Sequence, residues 1–84
     1  MDWNKLKAFY EVALNNSISK ASIKLNISQS AISRQIQDLE LDLKTPLFIR
    51  HQKGVRLTEQ GENLFNSVNK ILMAIADFEQ KYRT

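Results

Sequence analysis

The chain has 84 residues, of which 43% are hydrophobic and 25% charged, and a formal net charge of +3. That allows one small domain, whose core gains from a partner chain. It has no cysteine, no apolar run near the roughly 20 residues of a membrane span, and no apolar secretory core in Met1-Asp2-Trp3-Asn4-Lys5, so disulfides, thiolate metal sites, a membrane anchor and export are all unexpected, and a cytoplasmic protein is the simplest reading.

The first 44 residues contain neither glycine nor proline, which favours helices joined by short polar turns. Leu6, Phe9, Tyr10, Ala13 and Leu14 recur at helical spacing and predict a first helix over about 3–14. Asn15-Asn16 ends it, and Ser17 can cap the next helix by accepting from a free N–H of its first turn. Ile18, Ala21 and Leu25 mark one face of that short second helix. Asn26-Ile27 is a turn, and Ser28 can cap a third helix. There Ile32, Ile36, Leu39 and Leu43 make one apolar stripe, ending near Lys44 because Thr45 precedes Pro46.

Leu47-Phe48-Ile49-Arg50 is rich in strand formers. His51-Gln52-Lys53-Gly54 predicts a turn, and Val55-Arg56-Leu57 a returning strand. Thr58 can cap a last helix whose first turn holds Glu59 and Glu62, acids that suit the positive end of a helix dipole. That helix is expected to run to about Arg83. Leu64, Val68, Ile71, Ile75, Phe78 and Tyr82 follow at alternating steps of four and three, the period of a coiled-coil seam; Phe65, Leu72, Met73 and Ala76 widen it. The expected interface of a homodimer is Leu64, Val68, Ile71, Leu72, Ile75, Phe78 and Tyr82. Leu57 and Leu64, leading the stripe, are expected to pack on their own domain.

The fold class is therefore mainly α: a winged helix-turn-helix over 1–57, then a linker and dimerisation helix over 58–84. Charge follows the same division. Residues 1–56 hold nine Lys/Arg against five Asp/Glu, and residues 57–84 three against four. Lys44 to Arg56 contains four cations and no acid, a segment suited to a polyanion.

In a helix-turn-helix the second helix enters the major groove and reads base edges. Opposite the apolar stripe of the third predicted helix stand Gln29, Ser30, Ser33, Arg34 and Gln37. Arg can donate twice to guanine, Gln can pair with adenine, and small serines permit close approach. Asp38, Glu40 and Asp42 gather at the far end, where they repel phosphate least if that end tilts away from the duplex. Arg50, Lys53 and Arg56 spread cations over the wing, suited to the flanking backbone or the minor groove. His51 reads as a neutral turn residue. Ser17, Ile18 and Ser28 begin helices whose free N–H groups can face phosphate.

These residues resemble the opening of the LysR-type transcriptional regulators. The resemblance rests on Leu6-Lys7-Ala8-Phe9, on Asn16 to Ser22, and on the run from Leu25 to Ile36 that includes Ser-Gln-Ser-Ala-Ile-Ser-Arg-Gln-Ile. Leu39-Glu40, Leu43, Leu47 to Arg50 and Leu57-Thr58-Glu59-Gln60-Gly61 complete it. It covers nearly the whole chain. It implies binding to interrupted palindromes upstream of bacterial promoters, with contacts at Gln29, Ser30, Ser33, Arg34, Arg50 and Lys53. It also implies a linker helix that forms a homodimer, or contributes to a tetramer in a full-length protein. The effector-binding domain that normally follows is not in these residues, so a small-molecule effector would act only through a part absent here, and an N-terminal piece or truncated member is expected. Two positions depart from the pattern. Lys44 stands where the family usually has glycine, at a cost of about 1 kcal/mol if that residue needs positive φ. Ser22 replaces a common alanine.

Two other functions compete. A winged helix could serve only as a protein-interaction scaffold, which accounts for the last helix but not for the Gln29–Gln37 face or the basic hairpin. Catalysis would need a nucleophile, paired bases or a phosphate loop that this inventory lacks; no cofactor or metal is expected.

Overall fold

The computed structural model describes residues 2–82. Its elements are α1 (Trp3–Asn15), α2 (Ile18–Leu25), α3 (Gln29–Leu43), β1 (Phe48–His51), β2 (Gly54–Leu57) and α4 (Glu59–Tyr82). Arg83, the expected end of the last helix, lies outside the described residues.

Helix starts follow from side-chain caps. Asp2 accepts from the Asn4 N–H, Ser17 from Lys20 and Ser28 from Ala31, satisfying donors with no partner inside the helix. Thr58 ties α4 to the chain before β1: its Oγ1 accepts from Gly61 N at 3.0 Å and donates to the Pro46 carbonyl at 2.7 Å. The first three helices all end on a left-handed residue, Asn16 (φ 51), Asn26 (φ 56) and Lys44 (φ 54). Asparagine tolerates that conformation through its short polar side chain, whereas lysine bears the steric penalty. The residue after α3 therefore does need positive φ.

The core has two joined parts. Ala8, Val12, Ala21, Ile32, Ile36 and Val55 pack between α1, α2, α3 and the wing. Phe9, Leu39 and Leu47 pack beneath α4, with Leu57, Leu64 and Phe65 against them. Phe48 touches both parts and sits 5.3 Å from the Phe9 ring. Burying a side chain such as Phe9 or Leu39 contributes about 1.5–3 kcal/mol, so these few residues carry much of the fold. The expected stripe of α1 is divided in two. Ala8, Phe9 and Val12 are its buried residues, Leu6 and Tyr10 turn toward α4, and Leu14 is 52% exposed.

The hairpin is tighter than the sequence suggests. His51 pairs with Gly54, leaving Gln52-Lys53 as a two-residue connection, and Leu47 is a buried core residue before the strand. Gly54 has φ 137, and a Cβ there would lie 2.6 Å from the Asn16 carbonyl oxygen. The neighbouring Val55 N–H donates to that same oxygen. Glycine thus lets the wing close onto the α1–α2 turn. At Gly61 a Cβ would collide with the Leu47 carbonyl, which seats the first turn of α4 against the entry to β1.

Candidate nucleic-acid interface

The α2–α3 pair presents one side of α3 outward. Gln29, Ser30, Arg34 and Gln37 are exposed and Ser33 is half-buried, while Ile32, Ile36 and Leu39 on the opposite side are buried. The separation follows from 3.6-residue periodicity. Gln29 to Gln37 spans about 12 Å of helix axis, comparable to the roughly 12 Å width of a major groove. The face offers guanidinium, amide and hydroxyl donors and amide acceptors, with no carboxylate among the five. Ser28 Oγ and Ser30 Oγ lie 3.1 Å apart, so these two hydroxyls orient one another at the start of the helix.

Two of the acids beyond the face, Glu40 and Asp42, have structural partners. Glu40 Oε2 accepts from the Leu47 N–H at 2.6 Å and the Phe48 N–H at 3.3 Å, fastening α3 to the wing. Asp42 accepts from Lys5 Nζ at 3.0 Å across to α1. That hydrogen bond, ahead of the remaining charge effects, raises the Lys5 pKa above its ordinary value even though desolvation opposes it. Neither contact has a local signal in the sequence, since each depends on where a separate part of the chain comes to lie against α3.

The wing cations do not form one patch. Paired residues of an antiparallel ladder share a face, and the register pairs Arg50 with Val55 and Ile49 with Arg56. Arg50 therefore lies on the inward side, where it borders a small crevice with Ile18, Ile36 and Glu40. Arg56 is on the outward side beside Ile49, and Lys53 is at the tip. His51 belongs to β1 rather than to the turn, and its Nδ1 accepts from the Lys53 N–H at 3.3 Å. Arg50 thus shares a crevice with Ile18 at the start of α2, where Ser17 caps the helix and the half-buried Ile18 side chain joins the core. The exposed residue nobody would choose for solvent is Ile23 on α2, at 78%.

The expected dimer seam divides into two parts. Val68 is 2% exposed, covered by its own α1, so it has no surface left for a partner. Leu64 packs into the core, as expected of the stripe's leading residues, and Leu72 lines a cleft with Trp3, Leu6, Tyr10 and Val68. The reason is that α4 lies against α1 as far as Leu72, about two turns beyond Leu64. Ile71 (51%), Ile75 (46%), Phe78 (61%) and Tyr82 (67%) are exposed, and Phe78 and Tyr82 rings are 4.7 Å apart.

Three helices, a two-stranded wing against them and an exposed polar face on α3 define a winged helix-turn-helix domain. The chain belongs to the lysR family of bacterial regulatory helix-turn-helix proteins, whose family model matches residues 3–62. It is 43% identical over 82 residues to the HTH-type transcriptional regulator CzcR of Bacillus subtilis (strain 168), covering 98% of this chain and 28% of that protein. The chain thus spans little more than a quarter of the curated relatives it matches. Its structure is similar to that of the CbnR DNA-binding domain in a DNA complex, with TM-score 0.85 and 32% identity over 99% of this chain and 95% of that one. It is also similar to the BenM DNA-binding domain in a complex with catB site 1 DNA, with TM-score 0.86 and 32% identity over 96% and 91%.

Proposed function

We propose that this chain is the sequence-specific DNA-binding domain of a LysR-type transcriptional regulator and acts as a homodimer on double-stranded DNA. The observation that carries the proposal is the outward face of α3, polar and free of carboxylates from Gln29 to Gln37. DNA complexes of the similar CbnR and BenM domains support the same reading. In it, α3 lies in the major groove. Arg34 donates two hydrogen bonds to a guanine edge, Gln29 and Gln37 meet adenines, and Ser30 and Ser33 allow close approach. Arg50 and the first N–H groups of α2, at Ser17 and Ile18, hold the adjacent phosphates; Ser28 does so at the start of α3. Lys53 at the wing tip reaches the flanking backbone or minor groove, and Arg56, on the opposite side of the wing, contributes by longer-range attraction.

Residues 1–57 act as the reading head and 58–84 as the pairing helix. The first half of that helix also serves the head's own core, and Ile71, Ile75, Phe78 and Tyr82 supply the apolar surface for a second copy. Two heads then read the two halves of a palindrome. The domain acts in the cytoplasm, and an effector acts through residues beyond this chain.

Selection of bound duplexes from a random pool tests the reading. A symmetric, interrupted consensus is expected, bound more weakly as salt rises because phosphate contacts release counterions. A pool that returns no consensus, with salt-insensitive retention, would refute it in favour of a protein-interaction module.

A further inference from the structure

Helix α4 is attached at two places. Its first turn is seated by Gly61 against the Leu47 carbonyl and by Thr58, which bonds to Leu47 and Pro46. The second place lies about 12 Å farther along, eight residues on. There the Tyr10 hydroxyl donates to Asn69 Oδ1 at 2.7 Å, and the Tyr10 ring stacks on Phe65, with centroids 5.1 Å apart and planes 12° from parallel. Val68 is buried beside them, and Leu72 closes the cleft with Trp3 and Leu6. Residues 73–82 are all exposed.

One attachment fixes a point, and the second fixes a direction. The apolar contacts of Val68 and Leu72 are non-directional and tolerate small rolls and tilts of a helix. The tyrosine–asparagine hydrogen bond is directional, weakening steeply away from linearity. It joins α1, in the body of the head, to α4 one turn before Leu72, where the helix leaves that body. The helix then continues about 20 Å from Asn69 to Tyr82. Over that length a tilt of about 10° moves the far end by about 3.5 Å, close to the 3.4 Å rise of one base pair.

We infer that the Tyr10–Asn69 contact is a positioning device that aims the pairing helix and so sets the half-site spacing that the dimer accepts. The inference rests on the dimeric DNA-binding function proposed above. Tyr10 and Asn69 touch neither nucleic acid nor the second copy; they act through the direction of α4. Tyr10→Phe keeps the stacked ring and removes the hydrogen bond. Asn69→Asp keeps an acceptor for the hydroxyl, whereas Asn69→Leu does not.

The test measures binding of the 84-residue chain to a single half-site and to palindromes whose spacer is varied by one base pair at a time. The original chain should prefer one spacer. Tyr10→Phe and Asn69→Leu should reduce that preference by about fivefold, the equivalent of one net hydrogen bond, while half-site affinity holds within about twofold. Asn69→Asp should restore the preference. Unchanged spacer preference in Tyr10→Phe and Asn69→Leu overturns the inference, and so does loss of half-site binding, which would make the contact a support of the head itself. If the original chain binds half-sites with no sequence preference at all, the proposed function fails first, a distinct result.

Discussion

Lys44→Gly should stabilise the protein. Lys44 caps α3 at φ 54, ψ 41, where a Cβ crowds the backbone. Its N–H bonds to Glu40 and Leu41 carbonyls, and the Thr45 N–H reaches the Glu40 carbonyl at 3.0 Å. All these are backbone bonds, so they survive the substitution. Removing the left-handed strain returns about 1–2 kcal/mol. Glycine's extra freedom in the unfolded chain takes back about 0.4–1 kcal/mol. The net gain is about 0–1.6 kcal/mol, near 0.8 kcal/mol at the middle of these ranges, which in a domain of this size raises Tm by about 3–6 °C. Asn26→Gly, at φ 56, is the control: asparagine already tolerates that conformation, so its Tm should move much less. Thermal melts and urea titrations at one protein concentration read both effects, since any pairing of copies makes Tm concentration-dependent. A Lys44→Gly protein that melts at or below the original, with an unchanged urea m-value, refutes the reasoning. It would mean that packing of the lysine stem, which lines a groove with Leu41 and Pro46, outweighs the strain.

Arg34→Ala should weaken specific binding by about 1–3 kcal/mol per half-site and relax the preference at one or two base pairs; gel-shift competition with substituted sites checks it, and equal loss on random DNA would count against base reading. Lys53→Ala should weaken binding across all sequences and lower the slope of log affinity against log salt by about one. Glu40→Ala should destabilise the fold by about 1.5–3 kcal/mol, because two wing N–H groups lose a charged acceptor, and amide exchange at Leu47 and Phe48 should quicken. A chain ending at Leu72 should stay folded but sediment as a monomer, since residues 73–82, which it lacks, are exposed while Phe65, Val68 and Leu72 remain against α1. Circular dichroism together with analytical ultracentrifugation separates loss of fold from loss of pairing.

The readable parts of this protein are the periodic ones. Ile32, Ile36 and Leu39 specify the inner side of α3, which leaves Gln29, Ser30, Arg34 and Gln37 outside, and Ser17, Ser28 and Thr58 announce helix starts by their chemistry. Contacts between distant residues were not readable. Tyr10 with Asn69 and Lys5 with Asp42 join residues 59 and 37 positions apart, and no local pattern marks either pair. The wing shows the same limit at short range. Its three cations look equivalent in the chain, but Arg50 and Arg56 are on opposite faces because strand side chains alternate and the ladder pairs Arg50 with Val55 and Arg56 with Ile49.

The sequence by itself determined the order of helices and wing, the side of α3 left to solvent and the apolar stripe of α4, since each depends on spacing within a single element. Only the tertiary structure decided how that stripe is shared. Val68 and Leu72 went to α1 and the exposed Ile71, Ile75, Phe78 and Tyr82 were left over, because burial depends on where one helix crosses another, which a heptad pattern does not encode.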